Sequence, residues 1–93
     1  MMELYQHYFV LFLTDYQDQL TFISNTDPVT YTPDIRSAKL YDNEVNADND
    51  ILDNYERMKT LIDNTDMASF YKGYVKKDTN TGNIEFIWRE KII

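Results

Sequence analysis

The run Tyr8-Phe-Val-Leu-Phe-Leu-Thr14 is apolar on both of its alternating sets, Tyr8, Val10 and Phe12 on one and Phe9, Leu11 and Leu13 on the other. β-Branched and aromatic residues at this density specify a strand. A strand apolar on both faces belongs in the middle of a sheet covered on both sides, or at a contact between subunits. A chain of 93 residues without cysteine must meet that demand by packing, because neither a disulfide nor a thiolate metal site can staple it. Eight Tyr, five Phe and one Trp supply large buried areas per residue, and only two Gly and two Pro argue for an ordered domain.

The rest of the chain falls into place around that strand. Asp15 to Asp18 reads as a turn and Gln19 to Ser24 as the returning strand of a hairpin. Asn25 to Asp34 holds both prolines and reads as a loop with an extended piece at Val29 to Tyr31, and Ser37 to Tyr41 as a short strand. From Asp48 onward, Ile51, Leu52, Tyr55, Met58, Leu61 and Ile62 recur at helical spacing and define an apolar stripe. Asp48, Asn49 and Asp50 are its N-cap candidates, Asn64 its stop, and Asp50, Asp53, Asn54, Glu56, Arg57 and Asp63 its outward residues. Ser69 to Lys77 and Asn83 to Lys91 flank Asp78 to Gly82 as a second hairpin, with Ile84, Phe86 and Trp88 sharing one face of the last strand. The expected fold is therefore a single α+β domain over 1–93, β-β-(β)-α-β-β. One amphipathic helix packs on a mostly antiparallel sheet of four to five strands.

Charge is unevenly spread. The net charge is −7, and Asp42, Glu44, Asp48, Asp50, Asp53 and Glu56 follow one another with no Lys or Arg among them. Residues 67–93 instead carry five bases against three acids. The six-residue apolar run near the N-terminus has neither a basic leader nor a small-residue cleavage site, so it does not fit a signal peptide. It is also far short of the roughly 20 residues that a membrane span needs. A soluble, cytoplasmic protein with no membrane partner is expected.

Few residues suggest chemistry. Asp42, Glu44, Asn46, Asp48, Asp50 and Asp53 fall on the ligand positions of an EF-hand loop. Ala47 stands where that loop needs glycine and Asp53 where it needs a bidentate Glu, and the preceding segment is not helical, so no metal is expected. Asp50, Asp53 and Glu56 are close enough on a helix to pair as acid and base, but an exposed helix face does nothing to tune them. His7 is the only histidine, so neither a zinc site nor a Ser-His-Asp set can be assembled. Gly73 and Gly82 are isolated, so no phosphate loop exists. The chain reads as no enzyme, with no catalytic residues and no cofactor.

Binding is the stronger expectation. Lys72, Lys76, Lys77, Arg89 and Lys91 interleave with Tyr71, Tyr74, Phe86 and Trp88 like a nucleic-acid stacking platform. A protein of pI about 4.4 is repelled by phosphate, so direct nucleic-acid binding is not expected. The converse fits the charge. Helical carboxylates three and four residues apart stand about 5–6 Å from one another, comparable with successive phosphates. Asp42, Glu44, Asp48, Asp50, Asp53 and Glu56 are the candidate partner-binding residues for a protein with a basic surface.

Tyr8-Phe-Val-Leu-Phe-Leu, followed by Thr32-x-Asp34-x-x-x-Ala38-x-x-Tyr41 and an acidic-capped helix, resembles small uncharacterised accessory proteins of phages and prophages of low-GC Gram-positive bacteria. The resemblance covers residues 8–62. It implies an inhibitor of a host protein in the host cytoplasm, in the company of anti-CRISPR proteins and DNA-mimic inhibitors, and transfers no site residue. The alternative is an assembly module that forms a homodimer through its strands, with Tyr5, Phe9, Leu11 or Trp88 at an apolar contact and the acids serving solubility.

Overall fold

The computed structural model describes residues 4–93. In chain order the elements are β1 (Tyr5–Asp15), β2 (Leu20–Thr26), β3 (Val29–Thr32), a 3-10 turn (Ile35–Ser37), α1 (Glu44–Asn64), β4 (Met67–Asp78) and β5 (Ile84–Lys91). They make an α+β fold, a five-stranded antiparallel sheet in the order β3-β2-β1-β4-β5 with one helix packed on it. The two-faced run sits where its pattern requires, at the centre of the sheet. Val10, Leu11, Phe12 and Leu13 are each 0–1% exposed within one chain.

Two cores cover the two faces. Leu11 and Leu13 pack with Ile23, Phe70 and the helix residues Ala47, Ile51 and Met58. Val10 and Phe12 pack with Phe22, Val75 and Ala38, flanked by Ile35 and Leu40 from the segment that follows β3. Part of the second core is aromatic, with Tyr71 stacked on Phe12 at 5.2 Å and Phe86 edge-on to it at 5.2 Å. That packing depends on Gly73. A Cβ there would stand 2.6 Å from the Phe86 ring and 3.0 Å from the Phe12 ring. Gly73→Ala is therefore expected to cost about 1–2 kcal/mol by overpacking, read as a lowered Tm in a thermal melt.

Both hairpin turns follow from their own side chains. The Asp15 carboxylate accepts from the Gln17 and Gln19 amides, and Asp18 takes a left-handed conformation at φ 59°. The Asp78 carboxylate accepts from the Asn80 and Thr81 amides, and Gly82 closes the loop at φ 76°, a conformation that needs no Cβ.

Several expectations are corrected. The third strand is Val29–Thr32, and Ser37 to Tyr41 contributes only a single bridge, Tyr41 to Phe9. The helix begins a turn before Asp48, because the Asn43 side chain accepts from the Asn46 amide and caps it there. Its buried residues are Ala47, Ile51, Asn54 and Met58, whereas Leu52 is 74% exposed. Asn54 is tolerated inside because its amide donates to the Asp50 carbonyl at 2.9 Å. On β5 a register shift opposite Tyr74 and Val75 separates residues expected on one face. Trp88 joins Phe9 and Tyr74 on the helix side, while Phe86 joins Phe12 and Phe22 on the other.

Candidate functional site

Helix α1 carries five of the six candidate acids, and Asp42 lies just before its N-cap. At about 100° per residue they cannot share one stripe. Glu44 and Asp48 fall on one flank and Asp50 on the opposite one. Glu56 follows the outward line of Val45, Asn49 and Leu52, and Asp53 lies between that line and the Asp50 flank.

On the first flank, Lys72 of β4 reaches up from the sheet. Its ammonium is 2.8 Å from the Glu44 carboxylate and 2.8 Å from that of Asp48, with Glu90 at 3.9 Å. The lysine side chain is 7% exposed, so this cation is available to the helix and not to a partner. Burial alone would depress its pKa, but the hydrogen bonds and charges of Asp48 and Glu44 outweigh that and raise it. Lys72 therefore stays protonated and pins the N-terminal half of α1 to β4.

On the other flank, one oxygen of Asp50 accepts from Tyr41 at 2.5 Å, Lys39 at 3.0 Å and Thr26 at 3.2 Å. Lys39 also donates to Thr26 at 2.9 Å and lies over the Tyr41 ring. Burial works to raise the Asp50 pKa, yet the hydrogen bonds from Tyr41, Lys39 and Thr26 and the Lys39 charge hold it below the usual carboxylate range. The Tyr41 hydroxyl is pushed far up, by burial first and then by the Asp50 carboxylate. It is a permanent donor. The outward position expected for Asp50 is thus corrected, since the carboxylate ties α1 to the 39–41 segment and to β2.

The structure does not bring the six together as a single charged face. Asp42, Asp53 and Glu56 remain exposed and make no ion pair among the described residues, whereas Glu44 and Asp48 keep about half of their side chains in water beside Lys72. The EF-hand alignment also fails geometrically, because Glu44 to Asp53 are helical and cannot wrap a cation. The basic-aromatic interleaving of the terminal hairpin is divided between the two sheet faces. Lys72, Lys76, Tyr74 and Trp88 lie on the helix side, where His7 stacks on Tyr74 at 5.6 Å and Lys76 sits over Tyr5. Arg89 lies on the other side, over the Tyr71 ring and paired with Asp18. Sequence reasoning missed Lys72, Lys39 and Tyr41 as counter-groups, for want of any local signal linking them to acids up to 28 residues away.

No helix among the described residues is long and apolar enough to cross a membrane. Compared with protein-family models, curated proteins and solved structures, the chain matches none of them.

Proposed function

We propose that this chain is a non-catalytic, phage-type inhibitor that binds a host protein and covers its basic, nucleic-acid-handling surface through the acidic side of α1. The observation that carries this reading is the set Asp42, Asp53 and Glu56, exposed and without ion pairs among the described residues, on a molecule of net charge −7. Such a surface steers a basic partner at long range and is weakened by salt. The exposed Val45 and Leu52 lie along the same outward line. They suit a protein partner, which offers apolar side chains between its cations, better than they suit a faithful imitation of a phosphate backbone.

The test uses Asp53→Asn/Glu56→Gln, which spares the internally paired Asp50. Wild type and variant are immobilised, a Gram-positive lysate is passed over both at low and high salt, and captured protein is assayed for displacement of a labelled DNA duplex. The expected result is a nucleic-acid-handling protein that salt releases, that binds the variant about three- to tenfold more weakly, and that loses its DNA to the wild type. Capture indifferent to both charge and salt refutes the reading. If in addition the protein self-associates and Trp88→Ala abolishes it, the assembly module is the better account.

A further inference from the structure

The central strand of the sheet is open along part of one edge. β1 pairs with β4 over its whole length, from Tyr5 opposite Asp78 to Asp15 opposite Met67. On its other side β2 pairs only with Phe12, Leu13 and Thr14. The gap is partly filled by Tyr41, whose N–H donates to the Phe9 carbonyl and whose carbonyl accepts from the Phe9 N–H, both at 2.9 Å. There the pairing stops. The chain leaves the sheet at Asp42 and enters the Asn43 cap of α1.

Strand geometry fixes what this exposes. Backbone groups of alternate residues point to the same edge. Since Phe9 addresses Tyr41, His7 and Tyr5 aim their N–H and C=O groups to that side too, while Gln6 and Tyr8 address β4. No described residue pairs with Tyr5 or His7 on that edge. A cleft of about 530 Å³ opens there, lined by residues 4 to 8 of the chain and by Asp42.

We propose that this slot receives an extended, basic segment of a partner protein, which adds to the sheet beside Tyr5–Tyr8 in line with Tyr41. The backbone of His7 and Tyr5 would supply the ladder and Asp42 would take a Lys or Arg of the segment. Charge selects this occupant. A second copy would bring its own Asp42 and a further −7 to the same edge, and single-stranded nucleic acid would bring phosphates to it. The inference rests on the acidic side of α1 facing the partner, and adds a backbone-reading contact beside Asp42.

The test is amide hydrogen exchange followed by NMR on the full chain at low salt, free and with the peptide acetyl-(Lys-Val)3-amide. In the free protein the His7 amide is expected to exchange rapidly while those of Gln6 and Tyr8 are protected by β4. Peptide at about ten times its Kd is expected to slow His7 exchange about tenfold. Asp42→Asn is expected to weaken binding about two- to fivefold, and the Glu-Val counterpart to leave His7 unchanged. A His7 amide already protected, more so at higher protein concentration, would hand the slot to a second copy and overturn the proposal. A Lys-Val peptide that perturbs only Asp53 to Glu56 overturns the slot while leaving the acidic-side reading standing. Protection of His7 by the Lys-Val peptide, together with lysate capture that is indifferent to Asp53→Asn/Glu56→Gln and to salt, does the reverse.

Discussion

Phe12→Ala is expected to cost about 3–5 kcal/mol, a large share of the roughly 5–15 kcal/mol by which native domains are stable. Phe12 is fully buried, on the side of the sheet away from the helix, and three aromatic rings lean on it: Phe22 at 5.7 Å, Tyr71 at 5.2 Å and Phe86 at 5.2 Å. Helix α1 lies on the other side, so the cavity left by the ring would be bounded by the sheet's own side chains, by the 35–40 segment and by Phe86, which is itself 38% exposed. Urea denaturation followed by circular dichroism measures the loss. An effect below about 1 kcal/mol would mean that the second face is a loose covering and not a core. Leu13→Ala, on the helix side, is the companion variant, and comparable losses from both would establish that β1 is held from two sides.

The sheet's centre was legible because Tyr8 to Leu13 carries its burial in its own letters, and the two hairpin turns because Asp15 and Asp78 bond to amides within a few residues. What escaped the sequence depends on partners far along the chain. The stripe template ranks residues by hydrophobicity, so it placed Leu52 inside and Asn54 outside. Burial instead follows position on the helix, and Asn54 enters at little cost because its amide is satisfied by the preceding turn. The register shift on β5 moves Trp88 to the face opposite Phe86, and no residue in Ile84–Lys91 announces it.

The candidate site shows the same division. An uninterrupted acidic run from Asp42 to Glu56 is plain in the sequence, but the sequence does not say which charges are already spoken for. Lys72 is shared between Glu44 and Asp48 from β4 and offsets one of their two charges, and Lys39 with Tyr41 engages Asp50 from the opposite flank. What survives for the proposed partner is a smaller surface, of which Asp42 lines the open edge of β1. That edge exists only because β2 parts from β1 after Thr14–Leu20 to Phe12–Phe22 and Tyr41 refills a single position, a matter of tertiary path and not of local pattern.

Asp50→Ala is expected to cost about 2–4 kcal/mol at neutral pH, an effect far above that of an exposed helix acid. The carboxylate is the only hydrogen-bond acceptor for the Tyr41 hydroxyl among the described residues, and Tyr41 is buried between β1 and the helix. Removing it orphans that hydroxyl, whereas Lys39, about one-third exposed, turns to water and to Thr26. The cost should therefore fall mainly on Tyr41. A double-mutant cycle with Tyr41→Phe is expected to show it, the double variant being more stable than the sum of the single losses predicts, because donor and acceptor leave together. Acid adds an independent check. The folded state holds the Asp50 pKa below its unfolded value of about 3.9, so its contribution is complete above that value and is lost as pH falls through the lower, folded one. The stability gap between wild type and Asp50→Ala should accordingly be constant from neutral pH down to about pH 4 and narrow below it. A gap that stayed constant into stronger acid would mean that Asp50 supports the fold by its shape and not by its charge.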